Sequence, residues 1–461
     1  MRILFINPPS KASKYIPQKC FPPVSLLYLA SNLIENNYNV NIIDANALRL
    51  SNNKIIEKIK NFMPDLIGIP LFSDIFFETY TLIKEIKKFF SCKIVVGGPH
   101  INGSDKEVLR DLKEVDFAIK GEAEESLLKL CQAIEKKIDF SKVEGLYYKV
   151  GDEIFSNPMG AFCRDLDKIK FPKREILEEV YRKKKYYLIL TKERPIDTII
   201  TSRGCPFKCG FCCMVSKDYR ARSPENVLEE ILSIYRRGIK NIDIGDANFT
   251  FDRERAMRIF NLIKKEKLNI RFRIKSRVDT IDKELVKNAK KAGVYLISMG
   301  IESGSQKILQ QMNKGITIEQ SLKACQIVMN EGIKLNTGWI IGYPNETEET
   351  IKETLRLILK IKPTTASINI LIPYPGTEVY QKAKAEKTLI GDWNLENKTT
   401  PWIKLPWIKS YNDLKNILRW MKNKIYYRPY YIFNFGKEIL ENANFLLARY
   451  TLQEAIKSIK K

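Results

Sequence analysis

The sequence predicts an α/β protein made of two successive parallel-sheet units and a small helical C-terminal region. Three observations predict it. Short apolar runs alternate with helical stretches through residues 1–145. The alternation resumes near residue 196 and continues to about 385. Pro, Gly and Asp punctuate the ends of the apolar runs, which is where parallel sheets hold their ligands. Strands separated by helices imply parallel crossovers and a sheet buried on both faces. The expected division is a doubly wound sheet over 1–145, a connecting segment over 146–195, a barrel-like unit over 196–385, and a helical, aromatic cap over 386–461.

In the first unit, strands are expected at Arg2–Ile6, Val40–Ile43, Leu66–Ile69, Lys93–Val96 and Asp116–Ile119. They end at Asn7-Pro8-Pro9, Asp44, Pro70, Gly97-Gly98-Pro99-His100 and Gly121-Glu122. A helix over Val24–Asn36 gathers Leu26, Leu27, Ala30, Leu33 and Ile34 on one side. Gly145–Phe155 reads as a hairpin, and Asp165–Pro172 with Lys183–Lys185 as connection. The second unit offers strands at Asp197–Thr201, Asn241–Ile244, Ile270–Ile274, Tyr295–Met299, Leu335–Ile341 and Ala366–Ile372. Six βα repeats are too few to close an eight-stranded barrel, so a partial (βα)6 barrel is expected. Beyond it Trp393, Trp402, Trp407 and Trp420 crowd with Tyr426, Tyr427, Tyr430 and Tyr431. Residues 391–461 hold 13 Lys and Arg against 6 Asp and Glu, and packing over the barrel mouth is the expected use of the region's rings.

Composition removes several classes. The chain of 461 residues carries 78 basic and 54 acidic residues, for a net charge of +24. The Lys residues are dispersed rather than blocked, so they read as solvated faces, and nucleic acid is not an expected partner. No apolar run reaches the roughly 18–20 residues of a membrane span. MRILFINPPS lacks the apolar core of a signal peptide, so the expected location is cytoplasmic. A single histidine, His100, excludes Ser-His-Asp hydrolysis and multi-His zinc sites.

The nine cysteines do not form a secreted disulfide framework, because four fall within residues 205–213. In Cys205-Pro-Phe-Lys-Cys209-Gly-Phe-Cys212, three thiolates can wrap one face of a cubane and leave the fourth iron open. Gly204 and Gly210 let backbone approach the sulfides. A zinc knuckle is the alternative; it would want a fourth Cys or His, and only the adjacent Cys213 is near. Cys20, Cys92, Cys131, Cys163 and Cys325 read as packed or idle thiols.

This motif resembles the CxxxCxxC signature of radical S-adenosylmethionine (SAM) enzymes, including the aromatic Phe211 before the third cysteine. The resemblance implies a 4Fe–4S cluster on Cys205, Cys209 and Cys212. SAM would chelate the open iron and be cleaved reductively to a 5′-deoxyadenosyl radical. By the same resemblance, Gly245 and Asp246 after the second barrel strand meet the SAM amino group, although the usual Gly-Gly-Glu is absent. Arg277 faces the SAM carboxylate, Glu302 or Ser303 the ribose or methionine part, and Ile341-Gly342 the adenine. Pro373 closes the sixth strand.

A Rossmann-like domain ahead of such a barrel is similar to the cobalamin-binding subclass of the family. The matching pieces are Asn7, Pro8 and Pro9, then Ser73, then Gly97, Gly98 and His100, then Gly121 and Glu122. The Asp-x-His-x-x-Gly motif of other cobalamin proteins is missing, so no protein histidine is expected as lower ligand. The implied cofactors are the 4Fe–4S cluster, SAM and cobalamin. The implied activity is methylation of an unactivated carbon of a small molecule or lipid, with flavodoxin or ferredoxin as electron donor. Cyclisation or rearrangement, RNA modification, and a non-enzymatic iron–sulfur or corrin carrier are the alternatives.

Overall fold

The computed structural model describes residues 1–10, 19–188, 190–191, 193–391, 393 and 400–442; side chains are described through Asn434 and again at Gly436 and Lys437. The first sheet holds seven strands: β1 (Arg2–Asn7), β2 (Asn39–Asp44), β3 (Leu66–Pro70), β4 (Lys93–Gly97), β5 (Phe117–Ile119), β6 (Leu146–Val150) and β7 (Glu153–Ser156), in the order β2-β1-β3-β4-β5-β6-β7. β1 to β5 are parallel, as expected. The expected five-stranded sheet gains an antiparallel hairpin, β6–β7, on the β5 edge. Gly151, at φ +59, supplies the left-handed turn that reverses the chain. The sheet therefore runs on to Ser156, inside the segment expected to connect the two units.

β1 is buried on both faces. Ile3 and Phe5 enter one apolar core with Leu27, Ala30 and Leu33 of the helix Val24–Glu35. Leu4 and Ile6 enter the other with Ile55, Ile59 and Ile83 of the helices Asn52–Phe62 and Phe76–Phe89. This two-sided cover is what a right-handed run of βαβ crossovers builds.

The second sheet holds β8 (Asp197–Ile199), β9 (Asn241–Ile244), β10 (Arg271–Ser276), β11 (Val294–Glu302), β12 (Lys334–Ile341) and β13 (Thr365–Ile370). They pair in chain order, all parallel, and β8 does not meet β13, so the barrel is open. Its strands alternate with period two. Phe272, Ile274, Leu335, Trp339 and Ile341 are buried against the helices. Arg273, Lys275, Ser298, Gly300, Asn336 and Gly338 take the opposite, concave face.

A buried charge network holds the connecting segment to the first barrel strand. Arg174 bonds Asp197 Oδ2 at 2.6 Å and Glu230 Oε1 at 2.7 Å, and Tyr181 donates to Asp197 Oδ1 at 3.0 Å. Arg222 completes the pairing of Glu230. C-terminal to the barrel, the helix Tyr411–Tyr426 packs on β13, with Tyr426 Oη donating to the Ala366 carbonyl at 2.9 Å. Trp407, Trp420, Tyr426, Tyr427, Tyr430 and Tyr431 sit in or beside the helices of this region, while Trp402 lies in a short strand, Trp402–Ile403, paired with Leu389–Ile390; residues 392, 394–399 and 443–461 of the expected cap lie outside the described residues. No helix among the described residues is long and apolar enough to cross a membrane.

Arg174→Met leaves two buried carboxylates short of their counter-charge. Urea unfolding should show a loss of about 3–5 kcal/mol, and Arg174→Met combined with Glu230→Gln should recover part of it. Wild-type stability in Arg174→Met would show that the network carries no such load.

Candidate active site

After β8 the chain forms a two-residue ribbon, Ser202–Arg203 against Arg220–Ala221, and the cysteine loop is the excursion between its strands. Gly204, at φ +79, closes the ribbon; a Cβ there would sit 1.9 Å from the Asp218 carbonyl oxygen. Cys205 N donates to Ser216 O at 3.2 Å and Cys212 N to Cys209 O at 3.1 Å. Gly210 N donates to Met312 O at 2.9 Å and Asn313 Nδ2 to Lys208 O at 3.0 Å, which fastens the loop to the segment after β11. Cys212 is exposed, and Cys205, Cys209 and Cys213 are partly buried. The Arg277 guanidinium stands 3.6 Å over the Phe207 ring with Nη1 3.8 Å from Cys209 Sγ. Arg277 is itself held by Asp279 and by the Lys314 carbonyl at 2.7 Å.

Among the described residues no three Cys, His, Asp or Glu side chains converge on a single ion position. A cubane does not ask for that, because each thiolate binds a different iron. Three free thiols on one glycine-flanked loop, beside a cation, fit such a cluster.

Several expected contacts lie around this loop. Gly245 packs where a Cβ would meet Ile200 at 2.6 Å. Glu302, at φ +74, accepts from Lys314 Nζ at 2.9 Å on the concave face. Gly342, at φ +85, donates its N–H to Glu346 Oε2 at 2.6 Å, and Pro373 is buried. Phe211 packs against the apolar cluster of Ile308, Met312 and Tyr343.

Three expected contacts are corrected. Asp246 is 1% exposed and its carboxylate takes the Thr201 N–H, the Thr201 hydroxyl and the Ser202 hydroxyl, each at 2.6 Å. Ser303 is fully buried, and its hydroxyl accepts the Ser305 N–H at 3.1 Å and sits 3.4 Å from that of Thr354. Ile341 faces the helices; period two puts Ile340 on the concave side instead. All three brace the strand ends. Sequence reasoning also missed Lys275, which the same alternation would have marked, and Lys314, which lies in the loop after the helix Gln306–Gln311.

At the first sheet, Pro8, Pro9, Gly97, Gly98 and Gly121 leave bare backbone along the carboxyl ends of the strands. Gly98 takes φ +98 and Gly121 φ +100, conformations L side chains rarely adopt. Such an edge fits a broad planar ring. Four expected contacts are turned to protein partners instead. Asn7 Nδ2 bonds Asp44 at 2.8 Å, and Tyr186 bonds the same carboxylate at 2.8 Å. Glu122 pairs with Arg220 at 2.6 Å and Arg203 at 3.1 Å, beside Glu124 on Arg203 at 2.6 Å. Ser73 Oγ lies 3.0 Å from His100 Nδ1. His100 is no open turn residue: it is 2% exposed, stacked on Phe76 at 4.2 Å and edge-on to Trp393 at 5.3 Å. Burial pushes its pKa down to about 4.

The two ligand-bearing edges meet. Arg203 and Arg220 flank the cysteine loop, and their partners Glu122 and Glu124 follow β5. Gly103, after β4, touches the turn after β13 so closely that a Cβ would lie 1.9 Å from the Pro375 carbonyl oxygen.

A parallel-sheet domain whose bare strand ends abut a three-cysteine loop on an open barrel fits an enzyme that holds a metal cluster and a second cofactor between its two units. A family model of the radical SAM superfamily matches residues 199–358, and one of the B12 binding domain matches residues 17–130. The chain is 32% identical to an uncharacterized methyltransferase of Pyrococcus horikoshii, over 97% of each chain. It is 30% identical to the anaerobic magnesium-protoporphyrin IX monomethyl ester cyclase of Rubrivivax gelatinosus, over 88% of this chain and 74% of that one. The cobalamin-dependent SAM radical enzyme OxsB, solved with aqua-cobalamin and SAM bound, superposes with a TM-score of 0.76 at 19% identity, over 98% of this chain and 71% of that one. The chain belongs to the radical SAM superfamily, in the branch that carries a B12 binding domain. It is an enzyme whose cofactors are a 4Fe–4S cluster, SAM and cobalamin, and it requires a reductant.

As the single histidine, His100 gives one ring signal by NMR, which should titrate near pH 4 rather than near 6.5. The unfolded chain takes up that proton first, so stability should fall as pH drops from about 6.5 toward 4. His100→Phe should flatten this part of the pH–stability curve. A titration midpoint near 6.5 would contradict the buried, stacked ring.

Proposed function

We propose that this enzyme methylates an unactivated carbon of a small-molecule or lipid-like substrate. The observation that carries the reading is the clasp of Arg203 and Arg220 on Glu122 and Glu124, which brings the cysteine loop and the glycine-lined edge of the first sheet to one place. Cys205, Cys209 and Cys212 would hold the cluster. Reductive cleavage of SAM and carriage of a methyl group are the chemistry that cluster and corrinoid supply when bound.

The chain's own residues position and shield. Arg277 sets positive charge beside Cys209. Phe211, Gly245, Glu302, Gly342 and Pro373 line the strand ends where SAM would lie, with Ile340 taking the place expected of Ile341. Pro8, Pro9, Gly97, Gly98 and Gly121 would let a corrin rest on backbone, while Asn7, Ser73 and His100 keep that edge rigid. Phe76, Phe77, Tyr374 and Trp393 stack beside it and exclude water, which protects a radical from quenching. An acidic one-electron carrier such as flavodoxin or ferredoxin suits a chain of net charge +24.

The likeness to a cyclase favours one second reading, ring formation with the same radical but no methyl transfer. Product analysis separates the two. The protein is purified without oxygen, its cluster rebuilt, and SAM and a strong reductant added with and without cobalamin. Methyl transfer predicts 5′-deoxyadenosine together with S-adenosylhomocysteine, the latter only when cobalamin is present. 5′-Deoxyadenosine alone supports ring formation and overturns methylation. Cys209→Ala should abolish both products and serves as the blank.

A further inference from the structure

The concave face of the barrel holds a cation without a counter-charge. Strand register aligns Lys275 with Ser298, Ser298 with Asn336, and Asn336 with Thr365. Most of this row is matched internally. Arg273, one step lower, bonds Asp243 at 2.5 Å and reaches Ser298 Oγ at 3.2 Å. Asn336 donates to the same Ser298 oxygen at 3.5 Å and accepts from Thr365 at 2.8 Å and Ser367 at 2.9 Å.

Lys275 is the exception. Among the described residues its ammonium has one hydrogen-bond partner, the Gly245 carbonyl at 3.1 Å, and no carboxylate within ion-pair distance. The two acids nearest in charge are already engaged, Asp243 by Arg273 and Asp246 by Thr201 and Ser202. An ammonium drawn out of water without a counter-charge is costly.

The next concave row explains where the counter-charge enters. There Gly300 faces Gly338, and a Cβ built on Gly338 would meet only the Gly300 Cα at 3.6 Å and the Met299 carbonyl oxygen at 3.8 Å. The Gly338 side of this row is thus free of side chains, while the Glu302–Lys314 ion pair covers the Gly300 side, where a Cβ would lie 2.1 Å from Glu302 Oε1. An unpaired ammonium asks for an anion, and the neighbouring Ser and Asn groups suit an oxygen acid.

We infer that Lys275 seats a ligand carboxylate inside the barrel, so that the substrate is a carboxylic acid whose reacting carbon is held beside Gly338. This rests on the radical enzyme reading above. SAM also carries a carboxylate, so the same seat has two sources to distinguish.

Reductive methylation of lysines, read by peptide mass spectrometry on the reconstituted holoprotein, tests the seat residue by residue. Burial lowers the Lys275 pKa, so more of it is the reactive neutral amine. The probes are benzoate, neutral benzamide, SAM and decarboxylated SAM. At a few times its Kd, benzoate added to SAM-loaded protein should slow labelling of Lys275 about fivefold, while benzamide should not. The exposed Lys168 should be unaffected by either. That pattern assigns the seat to the substrate. Protection by SAM but not by decarboxylated SAM, with no further effect of benzoate, keeps the seat and assigns it to SAM. Equal labelling of Lys275 under all four probes overturns the inference. If such protein still forms 5′-deoxyadenosine, the seat alone has failed; if it does not, the radical reading has failed with it.

Discussion

The arrangement depends on one partly buried charge cluster, Arg203 and Arg220 against Glu122 and Glu124. Parallel strands leave their carboxyl ends bare, and each unit of this chain has one such edge. Neither edge makes a reaction chamber alone. The arginines leave the barrel at the base of the cysteine loop, and the glutamates leave the first sheet just after β5. Pairing them turns two separate ligand edges toward each other. The close approach of Gly103 to Pro375 sets a second point of contact. With two points joined, the relative orientation of the edges is defined.

The same economy explains the residues that were expected to touch ligand and instead touch protein. Asn7, Ser73, His100, Glu122, Asp246 and Ser303 all lie at strand ends, where ligands bind. Strand ends also carry unpaired backbone groups and abrupt turns, which need hydrogen-bond partners of their own. A short polar side chain is well placed for either task. Asp246 shows how complete the second task is: three donors at 2.6 Å leave its carboxylate fully engaged. Polar type at a strand end therefore does not separate a ligand contact from a brace.

The concave face shows a different logic. Its floor is a chain of matched polar groups from Asp243 to Ser367, unlike the close-packed branched side chains that fill a closed barrel. An open barrel with its interior given to polar residues and glycine keeps room for ligand. The helix-facing positions of the same strands carry the apolar load, with Trp339 and Ile341 fully buried.

Much was legible in the sequence. Short apolar runs bounded by Gly, Pro and Asp located the strands to within one to three residues, because burial leaves few alternatives. The cysteine loop stood out in the sequence because its spacing is local, set along one short segment. The β6–β7 hairpin was recognised as a hairpin, but its place on the edge of the first sheet was not, since strand partnership is a long-range choice. The partners of Arg203 and Arg220, some eighty to a hundred residues away, were invisible for the same reason. So was the surplus charge of Lys275: any one strand shows a lysine, and only the assembled barrel shows that its neighbours are already paired. Local sequence pattern and spacing thus determined the elements and singled out the cysteine loop by themselves. Tertiary structure alone decided which polar groups neutralise one another, because pairing depends on distances that no single segment contains.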